Sequence, residues 1–72
     1  MNIGAKIQTI RLDAKADAGG GRDWTQAACA KRAGMSVSQW ADIEQGRNCP
    51  RLDTLERIAA ALGCTVAELV AV

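Results

Sequence analysis

An all-α domain of five helices, without a sheet, is what this sequence predicts, on three observations. Apolar residues recur at helical spacings, from Ile3, Ile7, Ile10 and Ala14 near the start to Leu52, Leu55, Ile58, Ala59 and Leu62 further on. No stretch alternates with a period of two over a useful length, so no strand is expected. The apolar share, 49%, is mostly Ala, Leu, Ile and Val, with no Phe, Tyr or His, a composition that suits close-packed helices.

Length and charge bound what such helices can build. Seventy-two residues make one domain, 1–72, with one small core. A core of that size leaves only a few kcal/mol of net stability, so packing must be efficient or the chain must associate. A net charge of +1 does not support a strongly basic nucleic-acid binder, yet it leaves room for a local positive face. No apolar run approaches the roughly 18–20 residues of a membrane span. The opening "MNIGAKIQ" lacks the basic and then apolar order of a signal peptide. Cys29, Cys49 and Cys64 are odd in number and lack C-x-x-C spacing. Without His, a zinc site would need all three thiolates plus a carboxylate or water. The plainer reading is reduced thiols in a cytoplasm, two of them packing as small apolar groups, with no metal and no cofactor.

Each helix has its own signals. Ile3, Ile7, Ile10 and Ala14 form one face of the first, with Asn2 as a cap. The pattern fades in "AKADAGGGRD", and the connector is placed at 16–23, around Gly19, Gly20 and Gly21. A phosphate loop there would need a preceding strand and a Gly-Lys-Ser/Thr ending, and has neither. Thr25 caps a second helix from Gln26 to about Ala33, stopped by Gly34. Ser36 with Gln39 forms a capping box for the third, which runs from Val37 to about Gln45 and stops at Gly46. Pro50 ends the following loop. Leu52 to Leu62 is the fourth helix, closed by Gly63. Thr65 and Glu68 box a short fifth helix that carries Leu69.

The second and third helices are separated only by "AGMS", too short for a long antiparallel contact, so they must cross steeply as in a helix-turn-helix. Trp40 and Ile43, three apart, face the core. Val37, Ser38, Ala41 and Asp42 then face outward. Such an outer face, small and polar, fits a major groove about 12 Å wide, and the helix N-terminal amides suit a phosphate. A solvated bundle face fits the spacing equally well.

The residues Thr25-Gln26, Ala30, Gly34, Ser36, Ile43-Glu44, Gly46 and Pro50, then "LDTLERIAAALG" from Leu52 to Gly63 and "AEL" from Ala67 to Leu69, resemble the phage-repressor and Cro-like helix-turn-helix family. The likeness covers Trp24 to Val70, and Ile3 to Arg11 fits the family's first helix. It implies a repressor-like domain. Gln26 resembles the family's Gln that bonds a DNA phosphate and buttresses a base contact. Val37 to Gln45 would be the recognition helix, with Ser36, Val37, Ser38 and Asp42 at positions that meet base edges or the adjacent backbone. Gln39 would serve the capping box, a phosphate, or both. Arg47 and Asn48 lie in the loop that follows a phosphate strand, and Arg51 stands where some relatives reach the backbone or minor groove. Arg11 and Glu44 match an internal ion pair, a structural role rather than a DNA contact.

Elementary chemistry limits what those side chains could read. Val37 offers methyls suited to a thymine methyl. Ser38 both donates and accepts, so it discriminates weakly. Asp42 can accept from a cytosine amino group but is repelled by phosphate. Specificity per half-site is therefore modest, with DNA deformability contributing.

Several positions depart from the family's pattern. The first connector is longer than usual, and Arg22 at its end would be either a phosphate contact or solvated. Ala28 stands where a Glu often completes a box with Thr25. Arg51 replaces a Ser cap. Cys29 takes a Leu position and Trp40 an Ile-like one, a large-for-small exchange that can compensate within the core. Trp24 replaces a Leu and would pack as a staple, the alternative being a base-stacking role.

One recognition helix covers only a few base pairs, so the resemblance implies a homodimer on a palindromic double-stranded operator. Val70 and Val72 have little core to join, as a subunit contact or a frayed tail. The expectation is a cytoplasmic repressor of prophage or mobile-element type, with no small-molecule ligand. The alternative is a protein-interaction module of the same fold, such as an antitoxin or accessory subunit. An enzyme is disfavoured: there is no His, no recognisable carboxylate pair and no nucleophile with a base partner.

Overall fold

The structure, a computed structural model, describes residues 3–17 and 23–70. Asn2, the triple glycine at 19–21, Arg22 and Val72 lie outside the described residues. Five helices follow in order: α1 (Ile3–Asp17), α2 (Gln26–Arg32), α3 (Val37–Glu44), α4 (Leu52–Leu62) and α5 (Val66–Val70), with no strand among the described residues. α1 continues two residues into the segment expected as connector. Nothing before Gly19 breaks a helix, and Ala14, Lys15 and Ala16 are strong helix formers.

The caps sit where local chemistry puts them. Thr25 Oγ1 accepts the Ala28 N–H at 3.1 Å, Ser36 Oγ accepts the Gln39 N–H at 3.1 Å, and Thr65 Oγ1 accepts the Glu68 N–H at 3.2 Å. Arg51 begins α4 without any side-chain cap. Gly34 closes α2 in the left-handed region at φ +73°, where a Cβ would clash with the backbone. Its N–H reaches the Lys31 carbonyl at 3.1 Å, and the Met35 N–H reaches Ala30 at 3.0 Å, so two carbonyls that the helix leaves open are satisfied. That reversal sets the steep passage from α2 into α3.

Two contact sets make the core. α1 packs on α3, α4 and α5, while α2 packs on α3 and α4, and α4 on α5. Ile7, Cys29, Trp40, Ile58 and Leu69 are the largest fully buried side chains, one from each helix. Each aliphatic in that set stabilises the fold by about 1.5–3 kcal/mol relative to exposure. Trp40 and Cys29, the large and the small residue of the expected exchange, are both fully buried in the same core cluster. Cys64 is half-buried and Cys49 exposed. Burial pushes the Cys29 and Cys64 thiols up, which disfavours the thiolate form of both.

Leu52 corrects the expected stripe on α4. It is 64% exposed: it shares a helix face with buried Leu55 and Ala59 but is the first residue of the helix, at the end of the stripe. Thr54, two residues on, is buried.

Candidate nucleic-acid interface

Glu44, the last residue of α3, is the anchor of the helix-turn-helix. Its side chain is 1% exposed, so its charge must be met within the protein. Arg11 of α1 meets it in a bidentate pair: Nε donates to Oε2 at 2.7 Å and Nη2 to Oε1 at 3.2 Å. Gln26 Nε2 donates to Oε1 at 2.9 Å, and the Trp40 indole N–H donates to Oε2. Four donors fill the roughly four acceptor positions of a carboxylate. Burial alone would raise the Glu44 pKa. The bonds from Arg11, Gln26 and Trp40 outweigh it and hold the carboxyl below its usual range.

Arg11 has a third role. Its Nη1 donates to the Trp24 carbonyl at 3.0 Å, fixing the chain just before α2. A second clamp secures the same entry. The Arg32 guanidinium lies 4.7 Å over the Trp24 ring and donates to the Asp23 carbonyl and, at 3.3 Å, to the Ala61 carbonyl of α4. Asp23 Oδ1 accepts the Thr25 N–H at 2.9 Å. Trp24 is buried in the same cluster as Cys29, the fourth residue of α2, which is the arrangement of a staple. α1 and α2 therefore hold α3, and α2 is in turn tied to α4.

The other side of α3 is open. Ser36, Val37, Ser38 and Gln39 are exposed, Val37 at 47%, while Ala41 and Asp42 are half-buried. The only charge of that outer face is Asp42, and it is not free. Arg47 Nη1 lies 3.5 Å from Asp42 Oδ1, so two residues expected to meet DNA separately meet each other. Arg51 pairs loosely with Asp53 at 3.7 Å, both largely exposed. Asn48 and Arg51 share with Gln39 a shallow depression of about 180 Å³, which also involves Cys49, Pro50 and Thr54. The structure thus gathers Ser36 to Asp42, Arg47, Asn48 and Arg51 around α3 and the loop after it. Gln26 stands apart, half-buried at the start of α2 and bonded to Glu44.

Sequence reasoning paired Arg11 with Glu44 but missed the other two donors. A signal was present for one of them: Trp40 and Glu44 are four apart, on one face of a helix. The Arg32 clamp had no such signal, because Ala61 lies 29 positions away.

A family model described as a helix-turn-helix domain matches residues 3–72. Over 70 residues the chain is 40% identical to the immunity repressor protein of Bacillus phage phi105, an alignment that covers 97% of this chain and 43% of that protein. The chain spans less than half the length of this relative.

Proposed function

The chain belongs to the helix-turn-helix domain family, and from that premise we propose that it is a DNA-binding transcriptional repressor of phage type. The open side of α3, held from behind by the Glu44 network, is the observation that supports this reading best. An α-helix is about 10–12 Å across with its side chains, and the major groove is about 12 Å wide. α3 enters that groove with Ser36, Val37 and Ser38 leading. Val37 contacts a thymine methyl, and Ser38 bonds a base edge or phosphate. Gln26, Gln39, Arg47, Asn48 and Arg51 contact the backbone on either side and set the register.

Asp42 holds Arg47 in the free protein and releases it to a phosphate on binding, after which Asp42 can accept from a cytosine amino group. Because α3 spans only a few base pairs, the chain acts as a homodimer on a palindromic operator, with half-sites about one helical turn apart. Repression follows from occupying promoter DNA in the cytoplasm. No helix among the described residues is long and apolar enough to cross a membrane. The chemistry is binding, not catalysis.

A selection of bound duplexes from a random pool, followed by titration across a salt series, tests the proposal. The expected result is an enriched palindrome and a linear fall of log affinity with log salt. Absence of duplex affinity at low salt, together with a stable complex with a protein partner, would instead favour an interaction module of the same fold.

A further inference from the structure

We propose that Trp40 is a positioning residue for Gln26, acting through Glu44. The inference rests on the reading of Gln26 as a phosphate contact, and it concerns which end of the Gln26 amide is offered.

A glutamine amide has two faces of opposite character, a donor nitrogen and an acceptor oxygen. Only the nitrogen can serve a phosphate; the oxygen would be repelled. Gln26 Nε2 is 2.9 Å from Glu44 Oε1, and that bond decides the orientation. A carboxylate oxygen accepts and never donates, so the amide must turn its nitrogen toward Glu44. One N–H is used there, and the second remains for a ligand.

The bond orients Gln26 only if the carboxylate itself cannot rotate. Arg11 holds the carboxylate plane from α1 through its bidentate pair. Trp40 ties the same carboxylate to α3 itself. It lies one turn before Glu44 on the same helix, is 1% exposed, and donates its indole N–H to Oε2, the oxygen opposite the one that holds Gln26. A buried indole N–H needs a partner, so the core packing of the ring and the placement of the carboxylate enforce each other. The chain of contacts runs from the core, through Trp40 and Glu44, to the half-buried Gln26 at the start of α2. It couples the two helices of the motif to each other.

Two variants remove the N–H: Trp40→Phe, which also gives up ring volume, and replacement of Trp40 by its benzothienyl isostere, which keeps the ring volume and isolates the loss of the donor. Helix content by circular dichroism verifies the fold. In the unbound wild-type chain, the two side-chain amide protons of Gln26 should be resolved by NMR from those of free glutamine and exchange slowly. In both variants they should collapse toward the free values.

On duplex DNA, Gln26→Ala should weaken wild-type binding about tenfold, the scale of one charge-assisted hydrogen bond. In the Trp40→Phe background the same change should weaken it less than about twofold. Unchanged Gln26 resonances in the isostere variant, or an equal loss in both backgrounds, overturns the proposal. If the wild-type chain binds no duplex, the repressor reading falls, and the Gln26 resonances alone decide the positioning claim.

Discussion

Gly4 of α1 lies so close to the end of α3 that a Cβ on it would stand 2.1 Å from the Ile43 carbonyl oxygen and 2.7 Å from that of Glu44. α1 is thereby seated directly on the backbone of the helix that ends in the buried carboxylate. Gly4→Ala forces the two helices apart and should destabilise the fold by about 2–3 kcal/mol, as overpacking against rigid backbone does. Gly34→Ala makes a contrast. A Cβ there meets only Arg57 Nη1 at 3.7 Å, so its penalty is conformational and should be about 1–2 kcal/mol. Urea midpoints of the two variants check the order; a larger loss at Gly34 would contradict the close seating of α1.

Loss of the Glu44 charge should be the most damaging single change in the network. Glu44→Gln leaves the Arg11 guanidinium buried without its counter-ion and should destabilise by about 3–5 kcal/mol, much of what a domain of this size has. Acid has the same effect. The folded-state pKa of Glu44 lies below the ordinary carboxylate value, so its stabilisation is complete above the unfolded pKa of about 4.3 and is lost as pH falls through the lower folded value. Urea midpoints measured downward from pH 6 should therefore fall in the acid range for the wild type and flatten in Arg11→Met/Glu44→Leu. An equal acid slope in that double variant would place the titration elsewhere.

How much of this was legible in the sequence depends on whether the cause is local. Thr25, Ser36 and Thr65 cap, and Gly34, Gly46 and Gly63 terminate, through bonds a few residues long, so helix order and ends can be read directly. The Arg11–Glu44 pair came through family resemblance, since 33 positions separate the two. The close seating of Gly4, the half-hidden state of Gln26 and the Arg32 clamp depend on how helices meet, which no spacing encodes. Leu52 misled because a periodic stripe does not reveal where its outermost residue loses contact. Asp42 and Arg47 are five apart, a spacing that gives no sign of their pairing, whereas the turn after α3 folds Arg47 back on the helix.

Arg51 separates stability from binding. It stands at the N-cap of α4 with no side-chain bond to the helix. Arg51→Ser should add a cap and raise stability by about 1 kcal/mol. The same change removes the cation that the proposed docking puts on the DNA backbone, so affinity should fall and the salt slope decrease by about one. Thermal melts and fluorescence anisotropy on one preparation test both halves. A more stable variant that binds as well as the wild type would remove Arg51 from the interface.

Asp42 should act on specificity rather than on the fold. Its pair with Arg47 is solvent-exposed, so Asp42→Asn should change stability by less than about 1 kcal/mol. Freed of that carboxylate, Arg47 should bind random duplex several-fold more tightly, while discrimination at one base pair is lost. Competition assays with specific and random duplexes measure the ratio; a gain in discrimination would reverse the assigned role.

Chemical-shift mapping of the backbone amides during titration with a selected duplex is the most direct measurement of where DNA sits. The largest perturbations should fall on Ser36 to Asp42, with smaller ones at Gln26, Arg47 and Asn48, and the buried side of α4 should remain still. Saturable duplex binding that leaves residues 36–42 unperturbed would contradict a groove-facing α3.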